Sequence, residues 1–379
     1  MKILHTSDWH LGRIIYGRSL IEDQQHFVKH FLLNVLEDER PDAVIIAGDI
    51  FDRQIAPVEA LRLFDAFVTE VCGNRHIPVV AVSGNHDGAD RLGLGGALLG
   101  GAGLHIVSRL DPYAPPVILP GEREVHIYAL PYFDPAMARD CLREEELRGF
   151  PAAYEAVLDI LRRRLDPAAF NILIAHCFVA GAETSESESP LFIGGSGEVP
   201  ASLFAGFDYV ALGHLHRAQT FGEKIRYSGS PLKYSFDEQH HKKSVTMLDV
   251  GEKPAIRALP VAALRDMRTL SGRVEELEAA ASADPCTNDY ISAELTGLPV
   301  YEPMHRMRKI YPNTLSVHNG GFASDTAEQE RAALRTSEPQ TVFAEFMRQM
   351  CGCEAEEADL AVFSAAYNAA SGRGSGNEA

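Results

Sequence analysis

The chain has 379 residues, of which 46% are hydrophobic, and it carries a formal net charge of -18 at pH 7. That length exceeds what a single hydrophobic core usually serves, so two or three domains are expected. No apolar run approaches the roughly 18 residues of a membrane-spanning helix. The N-terminus lacks a signal-peptide pattern, which predicts a cytoplasmic protein. The six cysteines lack paired C-x-x-C spacing, so neither a disulfide framework nor a structural zinc site is indicated.

The first part of the chain alternates strand and helix patterns. Strands are expected at Lys2 to Thr6, Asp42 to Ala47 and Pro78 to Ser83, and helices at Ser19 to Glu39 and Val58 to Cys72. Such alternation implies parallel strands with helical crossovers. Later apolar runs predict further strands at Val125 to Leu130, Phe170 to Ala175, Tyr209 to Leu212 and Ser244 to Val250. The sequence therefore predicts an α/β fold of two stacked mixed sheets flanked by helices.

A different pattern begins after Pro260, where the alternation stops. The elements expected there are a strand at Tyr290 to Leu295, a helix at Met304 to Arg308, a strand at Thr314 to His318, a polar linker at Gly320 to Pro339 and an amphipathic helix at Gln340 to Met350. The first three would form a small β-α-β module. We therefore divide the chain into residues 1–265, a small α+β domain at 266–322, and a linker with C-terminal helices at 323–379.

Polar side chains follow the predicted strands at five places. These are Asp8-Trp9-His10, Gly48-Asp49-Ile50-Phe51-Asp52, Gly84-Asn85-His86-Asp87, His176, and Gly213-His214-Leu215-His216. The ends of strands are where α/β proteins carry their functional residues. Residues two apart in extended chain point to the same side, so Asp8 with His10, and His214 with His216, would each aim at one point.

Seven of these side chains are candidate metal ligands, namely Asp8, His10, Asp49, Asn85, His176, His214 and His216. Carboxylate, imidazole and amide oxygen without a thiolate suit Mn, Fe, Mg or Zn. Seven ligands are too many for one tetrahedral ion. They fit two ions roughly 3.5–4 Å apart, an arrangement that serves phosphoryl transfer. Isolated histidines such as His26, His76 and His126 are instead expected to be ordinary solvated or structural residues.

The five motifs, in this order, resemble the calcineurin-like metallophosphoesterases and, more narrowly, the SbcD family of bacterial exonuclease subunits. The narrower resemblance rests on Ser7 to Arg13, Tyr16-Gly17-Arg18, Ser228 to Phe236 and Tyr311 to Leu315. It implies two divalent ions, Mn first and Mg or Fe as alternatives. It also implies that Asp49 bridges the ions. Each ion would have three further ligands, which are Asp8, His10 and His216 for one and Asn85, His176 and His214 for the other.

The resemblance also implies roles for residues that do not bind metal. His86 would protonate the leaving oxygen, and the Asp52 carboxylate would orient that imidazole. Arg13 and Arg53 are candidates for contact with the substrate. Archaeal and eukaryotic relatives often carry histidine at the position of Asp52, whereas Asp52 followed by Arg53 is similar to the serine/threonine protein phosphatases.

This similarity leaves an alternative open: a small-molecule or cyclic-nucleotide phosphodiesterase, or a protein phosphatase, on the same fold. Asp87 in place of the phosphatase glutamate, the sequence around Asp8 and the long C-terminal extension argue against it. A second alternative is a scaffold or DNA-binding module with a decayed site. It is disfavoured because every expected ligand type is present.

The resemblance implies that the protein is a 3'-5' exonuclease on double-stranded DNA and an endonuclease on hairpins and single strands. It would act in DNA end processing, replication, repair and recombination. Its partner would be an SbcC-like coiled-coil ABC ATPase, bound by the C-terminal helices, and a homodimer would form the centre of a heterotetramer without a membrane contact. Periodicity alone favours an ordinary packed terminal helix for that tail.

The net charge of -18 argues against tight DNA binding, because proteins that bind DNA usually carry a basic surface. Basic residues cluster locally at Arg162 to Arg164, His240 to Lys243 and Arg306 to Lys309. We therefore expect weak DNA binding by this chain alone, with the partner supplying more of the surface.

Overall fold

The computed structural model describes residues 1–188, 197–251, 254–298, 300–319, 339–347, 355 and 357–370. Its largest part is built on two six-stranded sheets, with strands numbered here in chain order. The first sheet contains, from edge to edge, β16 (Ala255–Pro260), β15 (Ser244–Asp249), β1 (Lys2–Thr6), β4 (Ala43–Ala47), β5 (Val79–Val82) and β6 (Leu104–Val107). Strands β1, β4, β5 and β6 are parallel, and β15 and β16 complete the sheet in antiparallel pairing.

The second sheet is also mixed. Its strands are β13 (Gln219–Phe221), β14 (Ile225–Tyr227), β12 (Tyr209–Gly213), β9 (Phe170–His176), β8 (Val125–Leu130) and β7 (Val117–Leu119). Strands β14, β12, β9 and β8 are parallel, with an antiparallel strand at each edge. The predicted fold class, two stacked mixed sheets flanked by helices, is confirmed.

Apolar side chains from both sheets fill the space between them. All five residues of β4 are buried, because one face of the strand meets the second sheet and the other meets helices. The outer face of the first sheet is covered by α1, whose consecutive segments are Ile21–His26, Phe27–Leu32 and Leu33–Glu39, and by α2, which comprises Val58–Val68 and Thr69–Asn74. Two short helices, α3 (Ala89–Leu92) and α4 (Gly96–Gly100), follow β5. The second sheet is covered by α5 (Pro135–Leu142) and α6 (Gly149–Arg162).

Two short strand pairs lie outside the main sheets. They are β2 (Ile14–Ile15) with β3 (Arg18–Ser19), and β10 (Phe178–Val179) with β11 (Glu198–Val199). The β2–β3 hairpin ends at Ser19, where we predicted that a helix begins, and the helix begins at Ile21 instead. A two-residue strand carries too little periodicity to predict.

A three-stranded parallel sheet forms the small unit after Pro260. In chain order the unit contains β17 (Met267–Gly272), α7 (Val274–Ala281), β18 (Tyr290–Leu295), α8 (Pro303–Ile310) and β19 (Thr314–Asn319), and β18 is the central strand of the sheet. Our β-α-β prediction therefore missed one strand and one helix, because β17 is mostly half-exposed and carries Arg, Thr and Ser among its apolar residues. The division of the chain at residues 265 and 322 stays a prediction.

The small unit packs against the first part of the chain. Met267, Tyr290 and Leu315 share a buried cluster with four residues from the larger unit, namely Ile15, Leu20, Leu232 and Tyr234. At its edge, Asp23 of α1 accepts hydrogen bonds from Arg265 Nη1 at 2.9 Å and from Tyr290 Oη at 2.6 Å. Apolar burial and a charged hydrogen bond therefore join the two units.

The C-terminal residues form two helices, α9 (Pro339–Phe346) and α10 (Glu357–Ala370). The Phe343 and Phe363 rings stack with centroids 4.4 Å apart, so the helices pack on each other. Met350, where we expected the first of them to end, and almost all of the predicted linker lie outside the described residues. Among the helices that the structure describes, none is both long and apolar enough to cross a membrane. The four cysteines in the described part, Cys72, Cys141, Cys177 and Cys286, are free thiols.

Candidate metal centre

Five strand ends meet at one edge of the stacked sheets. Asp8 and His10 follow β1, Asp49 follows β4, Asn85 and His86 follow β5, His176 ends β9, and His214 and His216 follow β12. Backbone hydrogen bonds of 3.0 Å, from Asp8 N to Gly48 O and from His10 N to Asp49 O, hold the first two loops together. His176 Nδ1 lies 2.8 Å from Ala47 O, which ties the second sheet to the first.

Four of the candidate ligands have left-handed backbone conformations. The φ angles are 54° at Asp8, 43° at His10, 48° at Asp49 and 107° at His214. Asp8 and His10 do converge, as we expected. The reason that we gave, an extended chain, is wrong, because the loop turns sharply after β1. Such conformations cost about 1–3 kcal/mol each and persist where the surrounding structure holds them, most often at functional sites.

Glycines in the motifs allow the backbone segments to approach closely. A Cβ atom on Gly84 would lie 2.1 Å from Asp49 Oδ1, and one on Gly213 would lie 1.9 Å from Ala47 O. The first contact explains why glycine precedes Asn85, and the second explains why glycine precedes His214. Both positions need glycine for lack of space.

The seven candidate ligands come together in overlapping groups. Ligand atoms of Asp8, His10 and His216 lie within 4.8 Å of one another, and so do those of Asp8, Asp49 and His176. Asp49 Oδ2 stands between the two halves, 3.7 Å from His10 Nε2 and 3.4 Å from His176 Nε2. Asn85 Oδ1 completes the second half at 3.0 Å from His176 Nε2 and 3.2 Å from His214 Nδ1.

The chemistry of this donor set fits divalent cations. His10 Nε2 faces His216 Nε2 at 3.1 Å, so two imidazole nitrogens converge on one place. Two buried carboxylates, those of Asp8 and Asp49, lie beside them. Buried anions need compensating positive charge, and imidazole with carboxylate is a donor set that Mn, Fe and Zn accept.

Burial keeps three of the imidazoles neutral, as metal ligation requires. It holds the pKa of His10 well below its ordinary value, lowers that of His214 to about 3, and lowers the pKa of His216 as well. Removal from water is the main cause in all three, because it disfavours the charged form.

Asp8, Asp49 and His176 lie close enough that the charge of each one changes the pKa of the others. Burial raises the pKa of Asp8, and the nearby Asp49 carboxylate raises it further. Burial acts on Asp49 in the same direction, but the imidazoles of His176 and His10 outweigh it and bring the pKa of Asp49 below its usual range. The two carboxylates in turn raise the pKa of His176 against the effect of burial. The site thus favours a positive charge between its carboxylates.

The four remaining predicted residues lie at the edge of this cluster. His86 Nδ1 is 3.0 Å from the backbone oxygen of Asp52, so the orienting contact to His86 that we expected from the Asp52 carboxylate is made by its carbonyl group. That carboxylate lies 3.2 Å from Arg13 Nη1 and 3.6 Å from His10 Nδ1. His86 also has a ligand atom within 4.8 Å of those of His10 and Asp49.

The two arginines differ in how freely they face solvent. Arg13 is mostly buried, donates to Ser187 O at 2.8 Å and lies 4.8 Å from the centroid of the Tyr234 ring. Its contacts are those of a residue that supports the site. Arg53 is half exposed, with Nη2 4.0 Å from Asp52 Oδ2, and its contact with substrate stays a prediction.

Sequence reasoning missed several residues that build the site. Asp87 accepts hydrogen bonds from the backbone nitrogens of Ile50, Phe51 and Gly84, and so holds two motif loops together. The other missed residues, around His216, are Ser187, Glu188, Glu238 and Lys243. Glu238 lies just beyond the Ser228 to Phe236 motif. That motif carries the family resemblance, but the sequence alone assigns it no role.

Comparison with known proteins agrees with this geometry. Residues 1–218 match the calcineurin-like phosphoesterase family, and residues 263–350 match a family described as type 5 capsule protein repressor C-terminal domain. The SbcD subunit of the SbcCD nuclease from Staphylococcus epidermidis is 32% identical over 355 residues, covering 92% of this chain and 93% of the relative. The chain belongs to the SbcD branch of the calcineurin-like phosphoesterases. Its site is therefore that of a metal-dependent phosphoesterase, and the second match covers the small three-stranded unit.

A solved structure of a hypothetical protein from Thermus thermophilus also aligns. It is 15% identical, covers 69% of this chain and 100% of its own, and has a TM-score of 0.37. A similarity of that size supports no conclusion about function.

Proposed function

We propose that this SbcD-type chain is the nuclease subunit of a complex with an SbcC-like coiled-coil ATPase. It hydrolyses DNA phosphodiesters as a 3'-5' exonuclease on duplex ends and as an endonuclease on hairpins and single strands. The observation that carries the proposal is the convergence of seven ligand side chains from five strand ends, with Asp49 in the middle of the other six. A binding module with a decayed site would not keep such a set.

Asp49 is the bridging ligand in this proposal. Asp8, His10 and His216 hold one ion, and Asn85, His176 and His214 hold the other, with Mn as the first choice and Mg or Fe as alternatives. Two bound ions would lower the pKa of a water molecule and stabilise the negative charge that develops on the phosphate. The chain's own contribution is to hold seven donors in place by burial and by backbone hydrogen bonds.

His86 is the proposed proton donor to the leaving oxygen. Its backbone nitrogen donates to Asp49 Oδ1 at 2.9 Å, and its ring stands edge-on to the His10 ring with centroids 4.8 Å apart. The Asp52 carbonyl accepts from a protonated Nδ1, so the proton for the leaving oxygen would come from Nε2 of the imidazolium form. Such a contact holds the imidazole in one orientation during proton transfer.

Binding of duplex DNA by this chain alone should be weak. Arg162 pairs with Asp159, Arg306 with Glu275 and Glu278, and Lys243 with Glu238, so part of the basic charge in the three sequence clusters is already neutralised. With a net charge of -18, the chain needs a partner to supply positive surface.

The C-terminal helices are the proposed contact with the ATPase. Phe363 stacks on Phe343 and lies 5.9 Å from Tyr367, which gives the pair an internal apolar contact. Val362 is nevertheless 72% exposed and Tyr367 43%. Exposed apolar side chains on a helical pair suit binding to a coiled coil.

An apolar surface supports the proposed homodimer. Exposed hydrophobic side chains lie on α2, on the loop before it, and on α4 and the turn before α4, namely Ile55, Val58, Leu61, Leu94 and Leu98; three of them, Ile55, Leu61 and Leu94, line one cavity. Patches of this kind commonly mark protein interfaces. The free thiols and the SbcD relationship support a cytoplasmic location. Sedimentation of the purified chain tests the dimer, with Leu61→Glu/Leu98→Glu as the variant expected to be monomeric.

A phosphomonoesterase, the alternative that Arg53 beside Asp52 suggests, is disfavoured because the chain belongs to the SbcD branch. Hydrolysis of bis-p-nitrophenyl phosphate and p-nitrophenyl phosphate in Mn separates the two. The proposed diesterase prefers the first substrate, and a preference for the second would favour the alternative.

The direct test is cleavage of end-labelled linear, hairpin and single-stranded DNA with and without Mn, ATP and the ATPase partner. We expect Mn-dependent products that ATP and the partner increase on duplex DNA. Absence of cleavage under every condition, with metal bound, would refute the nuclease assignment.

A further inference from the structure

Several residues that are not proposed ligands surround His216, which is one. His216 Nδ1 lies 2.5 Å from the hydroxyl oxygen of Ser187, and that hydroxyl donates a short hydrogen bond to Glu238 Oε1. Ser187 lies in the loop after β10, whereas Glu238 lies in the short helix Phe236–His240. Two separate segments thus meet at the nitrogen of His216 that faces away from His10.

Glu238 is held as a carboxylate acceptor. Its side chain is 0% exposed, and Oε2 pairs with Lys243 Nζ. Oε1 also accepts from Tyr234 N at 3.3 Å and lies 3.1 Å from the Ser235 hydroxyl oxygen, which makes its shorter hydrogen bond to Asp237 Oδ1. A buried carboxylate of this kind requires both a cation and hydrogen-bond donors, and Glu238 has both.

The direction of each hydrogen bond follows from the chemistry of the groups. Ionised Glu238 can only accept, so the single hydroxyl proton of Ser187 goes to it. The Ser187 oxygen must then accept from His216, which places a proton on Nδ1. His216 Nε2 is left with its lone pair facing His10 Nε2 at 3.1 Å, in the group formed by Asp8, His10 and His216.

Further contacts fix the same segments. Lys243 Nζ donates to His216 O at 2.9 Å, and Glu188 Oε1 accepts from His216 N at 2.6 Å. Arg13 Nη2 donates to Ser187 O at 2.8 Å, which connects the loop to the residues beside His10. The backbone and the side chain of His216 are therefore both held from outside the ligand group.

We infer that Ser187 and Glu238 are positioning residues that hold His216 in the tautomer and orientation that bind one of the two ions. The inference rests on the proposed function, since it takes His216 as a ligand. Groups that orient a metal-binding histidine typically contribute about ten-fold to 100-fold to metal affinity. The effect should fall on the ion that His216 binds, and the other ion should be unaffected.

Ser187→Ala removes the link between Glu238 and His216 while the buried Glu238–Lys243 pair stays intact. Ser187→Thr keeps a hydroxyl, and Ser202→Ala removes a serine hydroxyl from an exposed position remote from these contacts. A second route is the double variant Glu238→Leu/Lys243→Met, which removes acceptor and cation together so that no buried charge is left unpaired.

The readouts are the two-site Mn binding isotherm, the unfolding temperature of the metal-free protein, and the imidazole nitrogen NMR shifts of His216 without metal. In Ser187→Ala and in the double variant we expect about ten-fold weaker binding of one ion, unchanged binding of the other and loss of the single Nδ1-protonated tautomer. Ser187→Thr and Ser202→Ala should match the parent in all three.

Unchanged Mn affinity in both Ser187→Ala and the double variant would overturn the inference. Equal loss of both ions with a lower unfolding temperature would overturn it as well, because that result indicates a purely structural role. DNA cleavage by the parent preparation separates this inference from the proposed function. A parent that binds two ions and cleaves nothing refutes only the nuclease, whereas normal cleavage with unchanged affinity in the variants refutes only the positioning role.

Discussion

At the scale of single residues, the site depends on chemically different side chains held in one buried cluster. The carboxylates of Asp8 and Asp49 and the imidazoles around them are buried together, and their protonation states depend on one another. His86 differs, because it is partly buried and stands beside the cluster through its contact with Asp52 O. The two kinds of residue should therefore respond differently to substitution.

Asp49→Ala should abolish diester hydrolysis and the binding of at least one ion, because Asp49 lies between both groups of ligands. His86→Ala should lower the rate by about 10²–10⁴-fold, the usual contribution of general acid catalysis, with both ions retained. Metal analysis and hydrolysis rates of the purified variants check this. A His86 variant that lost an ion would make His86 a ligand, and one with full activity would remove its role.

Gly84→Ala should impair the site through crowding alone. The new Cβ would lie 2.1 Å from Asp49 Oδ1 and 2.5 Å from Asp49 N, so the bridging carboxylate must move. We expect loss of Mn binding and a destabilisation of about 1–3 kcal/mol, measured by urea unfolding. Gly73→Ala is the control, since Gly73 lies in a helical segment with no atom within 4 Å of the new Cβ, and it should be neutral or stabilising. Equal behaviour of both variants would contradict the packing argument.

The ligands themselves could be predicted from the sequence because they are distinctive residue types in ordered motifs after apolar strands. Ser187 and Glu238 could not, since their contact joins positions 51 residues apart and no local pattern records it. The orientation of the Asp52 carboxylate depends on where Arg13 and His10 lie in space, which no spacing rule specifies.

At the scale of elements, buried strands were predicted closely and short or half-exposed ones were missed. Strands β1, β8 and β18 have the limits that we expected, because nearly all of their residues are buried and the strands have clear ends. β17 and the β2–β3 hairpin are exposed or only partly buried, so their composition resembles that of loops. The junction between α1 and the small unit was likewise invisible, since it depends on Asp23 meeting Tyr290 across the fold.

Tyr290→Phe should weaken that junction. The hydroxyl donates to the buried Asp23 carboxylate at 2.6 Å, and loss of a hydrogen bond to a charged group costs about 1.5–3 kcal/mol. We expect a lower free energy of unfolding by this amount in urea titration. Tyr301→Phe is the matched control, because Tyr301 lies in the same unit and is 84% exposed. If the two variants lost equal stability, the Asp23 contact would contribute nothing.

At the scale of the whole molecule, catalysis and partner binding are assigned to different parts of the chain. All proposed ligands lie between Asp8 and His216, whereas the exposed apolar helices lie after Pro339. With its strong negative charge, we expect the isolated chain to bind DNA poorly and to need the proposed ATPase partner for duplex substrates.

Deletion of residues 340–379 should leave Mn-dependent hydrolysis of bis-p-nitrophenyl phosphate unchanged, because the site is built without them. The same deletion should remove co-purification of the ATPase and ATP-stimulated cleavage of duplex DNA. Pull-down and cleavage assays on the truncated protein check both parts. A truncated protein that still bound the ATPase would place the contact elsewhere.

The central claim is that Asp49 and the six ligand side chains around it hold two ions that together perform diester hydrolysis. The most direct test is to titrate metal-free protein with Mn and to measure bound ions per chain and bis-p-nitrophenyl phosphate hydrolysis in the same samples. We predict two ions per parent chain, with activity appearing as the second ion binds, and at most one ion and no activity in Asp49→Ala. Full activity with one ion per chain, or two ions retained in Asp49→Ala, would contradict the account.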